Sequence, residues 1–321
     1  MKRVKGKTII YIVLSIIVFV FIFFMIQTFS YSTPKFQNYC SVSTDNSGYF
    51  LDNEDILFSS FDDATNQLKV KKITGNEKVV NTITSVTVDE QVDNYYLTST
   101  KDYYYLSYNN AKKIYQIKKD NLETEVLVNS NDDVIVYSNY DIYAYSNNKL
   151  TSLKDDSVLN INLSIKNIKN IEFYAEKMAF IYTYDGKMYS YDFISNLFYE
   201  FDKIVNSYCI SDAALYFAYT NENKIGIGVV NFNNQDPITF EISNLAYDVM
   251  KTDDKYLYLI SEHEIYKINL ETKKQNETLK IDTYNEMNYQ LRNVMIVNES
   301  LMYLPMIKIE DNSQHIYRYK R

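Results

Sequence analysis

Two patterns of apolar and polar residues divide the chain. The first is a single run, Ile9 to Ile26, eighteen residues broken only by Ser15 and free of charge. As an α-helix it would span about 27 Å, close to the roughly 30 Å hydrocarbon core of a bilayer. Lys2, Arg3, Lys5 and Lys7 precede it without an acidic residue, and the next charge is Lys35. Positive charge stays cytoplasmic, so the pattern predicts a short basic cytoplasmic tail over 1–7, a transmembrane signal-anchor helix over 8–29, and an extracytoplasmic remainder. A cleaved signal peptide would carry a shorter apolar stretch ending in small residues, whereas this one ends in Phe23, Phe24, Met25 and Ile26. Cys40 lies too far beyond the run to read as a lipidated cysteine.

The second pattern begins near residue 48. Apolar and aromatic runs of a few residues alternate with clusters of Asn, Asp, Ser and Lys, the signature of strands joined by turns. No long stretch of helical period follows residue 30, so the outer part is predicted to be all-β. One block recurs: a Tyr-rich or β-branched strand, a polar turn, then an alternating strand. Asp102–Val128, Asp55–Val80 and Ser300–Arg321 are its clearest copies, with weaker ones starting at Asp141, Gly186, Lys224 and Glu264. Each follows another apolar strand, such as NYYLTS at Asn94, MAFIYT at Met178 or YLYLIS at Tyr256. The six intervals between residues 55 and 300 average about 41 residues, the period of four-stranded β-propeller blades. A blade cannot bury both faces alone, so blades pack side by side around an axis. Seven blades over 48–321 are expected, with six and eight as the alternatives. The last unit ends after its third strand, HIYRYKR, and the strand-like Phe36–Thr44 within the 30–47 juxtamembrane linker is the segment that would close the ring.

Composition changes this picture little and narrows the chemistry. Of 321 residues 33 are Tyr and 17 Phe, with no Trp, 6 Gly and 3 Pro, so Asn and Asp must do the turn work. Tyrosine suits such a fold because its ring packs on a pleated face while its hydroxyl reaches the rim. Tyr103, Tyr104 and Tyr105 are the densest place for a ligand-stacking cluster. The net charge is −8, and removing the first 30 residues leaves 29 basic against 41 acidic groups, or −12. That average repels nucleic acid and anionic headgroups. The basic stretch Lys69, Lys71, Lys72 and Lys78 reads as a solvated strand face.

The units, above all NYYLTSTKDYYYLSYNNAKKIYQIKKDNLETEVL from Asn94 to Leu127, resemble a Tyr-rich bacterial β-propeller family related to the YWTD-type propeller of lipoprotein-receptor ectodomains. The resemblance implies a propeller with a binding surface and brings no catalytic residue with it.

A search for chemistry returns no assignable site. The two histidines, His263 and His315, lie beside no Gly-x-Ser-x-Gly turn and read as solvated residues at strand starts. Two Cys and two His do not make a zinc site. Asp62 with Asp63, or Asp132 with Asp133, offers oxygen ligands to calcium without the spacing of a dedicated loop. Gly226-Ile-Gly228 sits within a strand pattern and is not a phosphate loop. In a ring, Cys40 at the seam and Cys209 about half a turn away are too distant to bridge. No catalytic, cofactor-binding or metal-ligating residue is assigned, and no cofactor is expected. The function expected is non-catalytic binding or scaffolding of a protein, peptide or glycan by the propeller loops, held at the cell surface by the 8–29 helix in the lipid bilayer, with no nucleic-acid partner. Two alternatives stand beside it. One is a cell-envelope glycan- or peptide-processing enzyme with carboxylates at the channel, and the other is a structural subunit of a membrane complex.

Overall fold

The computed structural model describes residues 37–42, 46–52, 55–74, 79–92, 94–109, 112–128, 134–137, 142–147, 149–155, 157–160, 165–174, 177–211, 213–232, 234–281 and 289–320. These hold 29 strands in seven antiparallel sheets. Six are four-stranded meanders in chain order, here blades 1 to 6, over 46–87, 95–128, 134–160, 168–200, 205–243 and 249–280. Blade 7 contains Met295–Asn298, Leu301–Lys308 and Gln314–Lys320, with the short Tyr289–Leu291 pairing the second of these. Its outer strand is Gln37–Val42, antiparallel to Gln314–Lys320 with Cys40 opposite Ile316. The first described strand and the last thus share one sheet, so the ring has no open seam. Among the described residues no helix is long and apolar enough to cross a membrane, and the proposed 8–29 anchor lies outside them.

Among the described residues, seven core clusters fill seven blade-to-blade interfaces. Leu57, Leu68, Leu106 and Tyr108 join blades 1 and 2, and Tyr105, Ile114 and Ile142 join blades 2 and 3. Further clusters join blades 3 to 4, 4 to 5, 5 to 6 and 6 to 7. The last, with Tyr49, Ile56, Phe58, Tyr303 and Ile316, joins blade 7 back to blade 1. Alternation explains the continuous apolar runs. In Met178–Thr183, Ala179 and Ile181 face blade 3 while Met178, Phe180 and Tyr182 face blade 5, so both faces are buried.

The blade phase differs from the sequence expectation in blades 4, 5 and 6. MAFIYT, ALYFAYT and YLYLIS are second strands, and the inner strands are Ile168–Tyr174, Val205–Ile210 and Val249–Thr252. Those three border the ring's centre, stay partly exposed and carry Lys, Asn, Glu and Ser, so an apolar search passes over them. The period was unaffected because the slip was confined to blades inside the series.

Asparagine does the turn work expected of it. Asn66, Asn109, Asn147, Asn167, Asn196 and Asn312 all have φ between 49° and 57°, the left-handed region that Asn tolerates better than most residues. The two glycines of blade 5 are steric. Gly226 lies opposite Tyr219 and Gly228 opposite Phe217, and a Cβ at either would fall 2.2 Å or 2.0 Å from a ring carbon. The aromatic rings lie across the strand where side chains would otherwise stand.

A channel lined by the inner strands

The inner strands surround a cavity of about 1130 Å³. Its wall takes Tyr49 and Phe50 from blade 1, Tyr96 to Ser99 from blade 2, Ile210 from blade 5, Lys251 from blade 6, and Arg292, Asn293 and Gln314 from the blade 7 region. Side chains alternate along a strand, so four consecutive wall residues, Tyr96, Leu97, Thr98 and Ser99, mean that the strand edge itself borders the cavity. Tyr95–Ser99 pairs on one side with Tyr103–Tyr108, and its other edge has no strand partner among the described residues.

Beside the channel, polar groups add to the apolar packing between blades 4 and 5. Asn170 and Glu172 occupy one face of Ile168–Tyr174, two residues apart. The Asn170 amide donates to Glu172 Oε1 at 2.8 Å and to the Tyr208 hydroxyl at 2.7 Å, and Tyr208 donates to the same carboxylate oxygen at 3.3 Å. Burial lifts the Glu172 carboxyl above its ordinary range, against the opposing pull of Asn170, Tyr208 and the positive charge of Lys251 on blade 6. The phenol of Tyr208 is raised by burial and then by the neighbouring carboxylate. Tyr96 on blade 2 is 51% exposed to the channel, yet its phenol is also raised, by surrounding protein first and by Glu172 in addition. Groups from blades 2, 4, 5 and 6 therefore share one electrostatic neighbourhood.

Among the described residues of the cavity wall the charged ones are Lys251 and Arg292, and neither forms an ion pair with another described residue. The more buried lysines elsewhere include paired ones. Lys119 meets Asp52 at 2.7 Å between blades 2 and 1, and Lys267, 2% exposed, lies 3.9 Å from the Tyr256 ring centre and 3.4 Å from Glu299.

The residues singled out from sequence fall mostly outside this site. Tyr104 and Tyr105 are core side chains facing blades 1 and 3, and the Tyr105 hydroxyl accepts from the Gln116 amide at 2.8 Å. They pack the ring instead of presenting a stacking platform. Asp62 accepts from Lys69 at 2.5 Å and from the Ala64 N–H at 3.1 Å, a turn and not a calcium cradle, while Asp132 and Asp133 lie outside the described residues. No three His, Cys, Asp or Glu among the described residues converge on a common point. His315 Nε2 lies 3.0 Å from the Ser313 hydroxyl, and Asp311 accepts from the Ser313 N–H at 2.9 Å, which is the hydrogen bonding of a turn. Cys209 is a free thiol on the inner strand of blade 5, whereas Cys40 is on the outer strand of blade 7. Three strand spacings, about 14 Å, separate an outer strand from the inner edge of its own blade, which places Cys40 beyond bridging distance of an inner strand. The Cys209 thiol is pushed up to about 12 by burial. The Glu172, Tyr208 and Lys251 grouping was not found from sequence. Its only signal was polar residues at inner-strand positions, which required the blade phase to be known.

Sheet order, seven interfaces and a central channel define a seven-bladed β-propeller. Solved structures agree on the fold. The WD40 β-propeller domain of Doa1 is 10% identical with a TM-score of 0.54, covering 88% of this chain and 96% of that one. The protein lmo1340 from Listeria monocytogenes is 11% identical with a TM-score of 0.58, covering 87% and 96%. An oligogalacturonate lyase in complex with manganese is 11% identical with a TM-score of 0.59, covering 89% and 96%. No family model and no curated protein matches the chain.

Proposed function

We propose that the chain is a membrane-tethered, extracytoplasmic β-propeller that binds a protein, peptide or glycan without catalysis, and that its ligand enters the central channel. The supporting observation is the channel wall, where a strand edge without a strand partner, a half-exposed tyrosine and two cations without an ion-pair partner among the described residues face one cavity of ligand size. The tether rests on the Ile9–Ile26 run with its basic flank, and kinship with the Tyr-rich, YWTD-related propellers rests on the repeated units from Asn94 to Leu127. Tethering confines binding to the membrane surface, where a rigid ring presents its channel mouth and loops to the outside.

Protease added to intact cells should remove the propeller, and the protein should stay with membranes after an alkaline wash. A protein protected from external protease would reject the orientation. Ligand captured by the full chain should be lost on Thr98→Trp, which fills the channel beside the open strand edge. Undiminished capture would reject the channel as the site.

The enzyme reading has one observation behind it, the raised Glu172 carboxyl beside Tyr208 and Lys251. Hydrolysis of a glycoside by paired carboxyls needs a second one about 5 to 9.5 Å away. Turnover of a cell-wall glycan or peptide abolished by Glu172→Gln would establish that reading instead.

A further inference from the structure

We propose that the channel receives an extended acidic peptide segment of a partner protein, with Lys251 and Arg292 meeting its carboxylates. This rests on the channel being the binding site. Among the described residues of the cavity wall the formal charge is +2, from Lys251 and Arg292, with the burial-raised carboxyl of Glu172 beside Lys251, in a protein of net charge −8. A wall of opposite sign to the whole molecule concentrates anions locally and disfavours cationic ligands. The partly buried Lys119 has Asp52 as its counter-charge, whereas the two cations of the wall have no ion-pair partner among the described residues. A ligand carboxylate would supply that partner.

The strand edge selects a peptide over other anions. Tyr95–Ser99 borders the cavity along four consecutive residues, with its inner edge free of a strand partner. A β-edge offers its donors and acceptors with a two-residue repeat, which an extended peptide matches along its length and a sugar ring does not. The Thr98 hydroxyl and the Tyr96 ring, two residues apart on one face of the strand, stand beside that edge to receive side chains.

The test measures anisotropy of fluorescein-labelled tetraglutamate and tetraglutamine peptides against the full chain. Tetraglutamate should bind at least about tenfold tighter, and Lys251→Gln and Arg292→Gln should each weaken it about tenfold, as loss of a charge-assisted contact does. Added salt should weaken it further. Lys274→Gln, on the exposed outer strand of blade 6, should change nothing. Circular dichroism melts of each variant verify folding. Equal affinity for the two peptides, indifference to both wall substitutions, or no binding of tetraglutamate would overturn the proposal. Binding of an oligouronate of equal charge in place of the peptide would overturn its peptide part. If Thr98→Trp blocks a neutral peptide while the wall substitutions do nothing, the channel reading stands and the acidic-peptide inference falls. If tetraglutamate binding survives Thr98→Trp, the channel reading itself falls.

Discussion

The Tyr49 hydroxyl donates to Gln314 Oε1 at 2.6 Å, across 265 positions of sequence, and fastens blade 1 to blade 7. Both residues are at least nine-tenths buried, and the Asn293 amide donates to the Tyr49 carbonyl oxygen at 2.7 Å in the same interface. The junction that closes the ring therefore combines apolar packing around Tyr49, Phe58 and Tyr303 with directional bonds that fix how the blades meet. Tyr49→Phe keeps the ring and removes the bond, with an expected loss of about 1 kcal/mol in denaturant unfolding. Deleting 37–42 strips blade 7 of its outer strand and should cost several times more. A deletion with an unchanged midpoint would show that the closing strand contributes nothing.

Glu172 makes stability depend on pH with an unusual sign for a carboxyl. Its folded-state affinity for a proton is raised, so its contribution is full below the ordinary value of 4.5 and is lost as pH rises through the higher folded value. The groups facing it are Asn170 on its own strand, Tyr208 on blade 5, Lys251 on blade 6 and Tyr96 on blade 2. Glu172→Gln retains an acceptor for Asn170 and Tyr208 without the charge. The variant should gain on the parent protein as pH rises from 4 to 8, reaching about 1 kcal/mol, or roughly 2 °C in Tm. A gap independent of pH would contradict this.

Gly228→Ala should destabilise by about 2 kcal/mol or more, because its Cβ would meet the Phe217 ring opposite it. The paired change Phe217→Leu with Gly228→Ala should cost less than the two single losses added together. Strict additivity in a double-mutant cycle would show that the ring does not occupy the glycine's place.

Lys267 is buried between the Tyr256 ring and Glu299, and Glu299 also takes Lys255 at 3.1 Å. Lys267→Met preserves the packed stem and removes a buried charge, so its effect should lie within about 1 kcal/mol. Glu299→Ala strands the buried ammonium and should cost more than Lys267→Met. The reverse order would mean that the lysine, not its counter-charge, carries the interaction.

The Cys209 thiol should react slowly with iodoacetamide in the native protein at pH 8 and rapidly once unfolded, because burial holds it protonated and screened. Native labelling as fast as unfolded labelling would place the thiol in solvent.

What was legible in the sequence was the fold's arithmetic. Second strands such as Met178–Thr183 are buried on both faces, so their apolar runs mark each blade, and asparagines at left-handed turns mark the hairpins. What was not legible was the channel. Its strands in blades 4 to 6 carry Asn170, Glu172, Ser207 and Lys251, a composition that resembles loop. The apolar pattern thus passed over three inner strands. Glu172 and Tyr208 are 36 positions apart, and nothing in either segment points to the other until the blades are placed side by side.

The order in which the chain is made acquires a meaning from the sheet shared by Gln37–Val42 and Gln314–Lys320. The earlier segment leaves the ribosome about 275 residues before its mate exists, and must wait without pairing elsewhere. Six blades can assemble during synthesis while the seventh cannot. A nascent chain halted anywhere short of that final hairpin keeps two bare flanks, strand edges open to pairing with another chain.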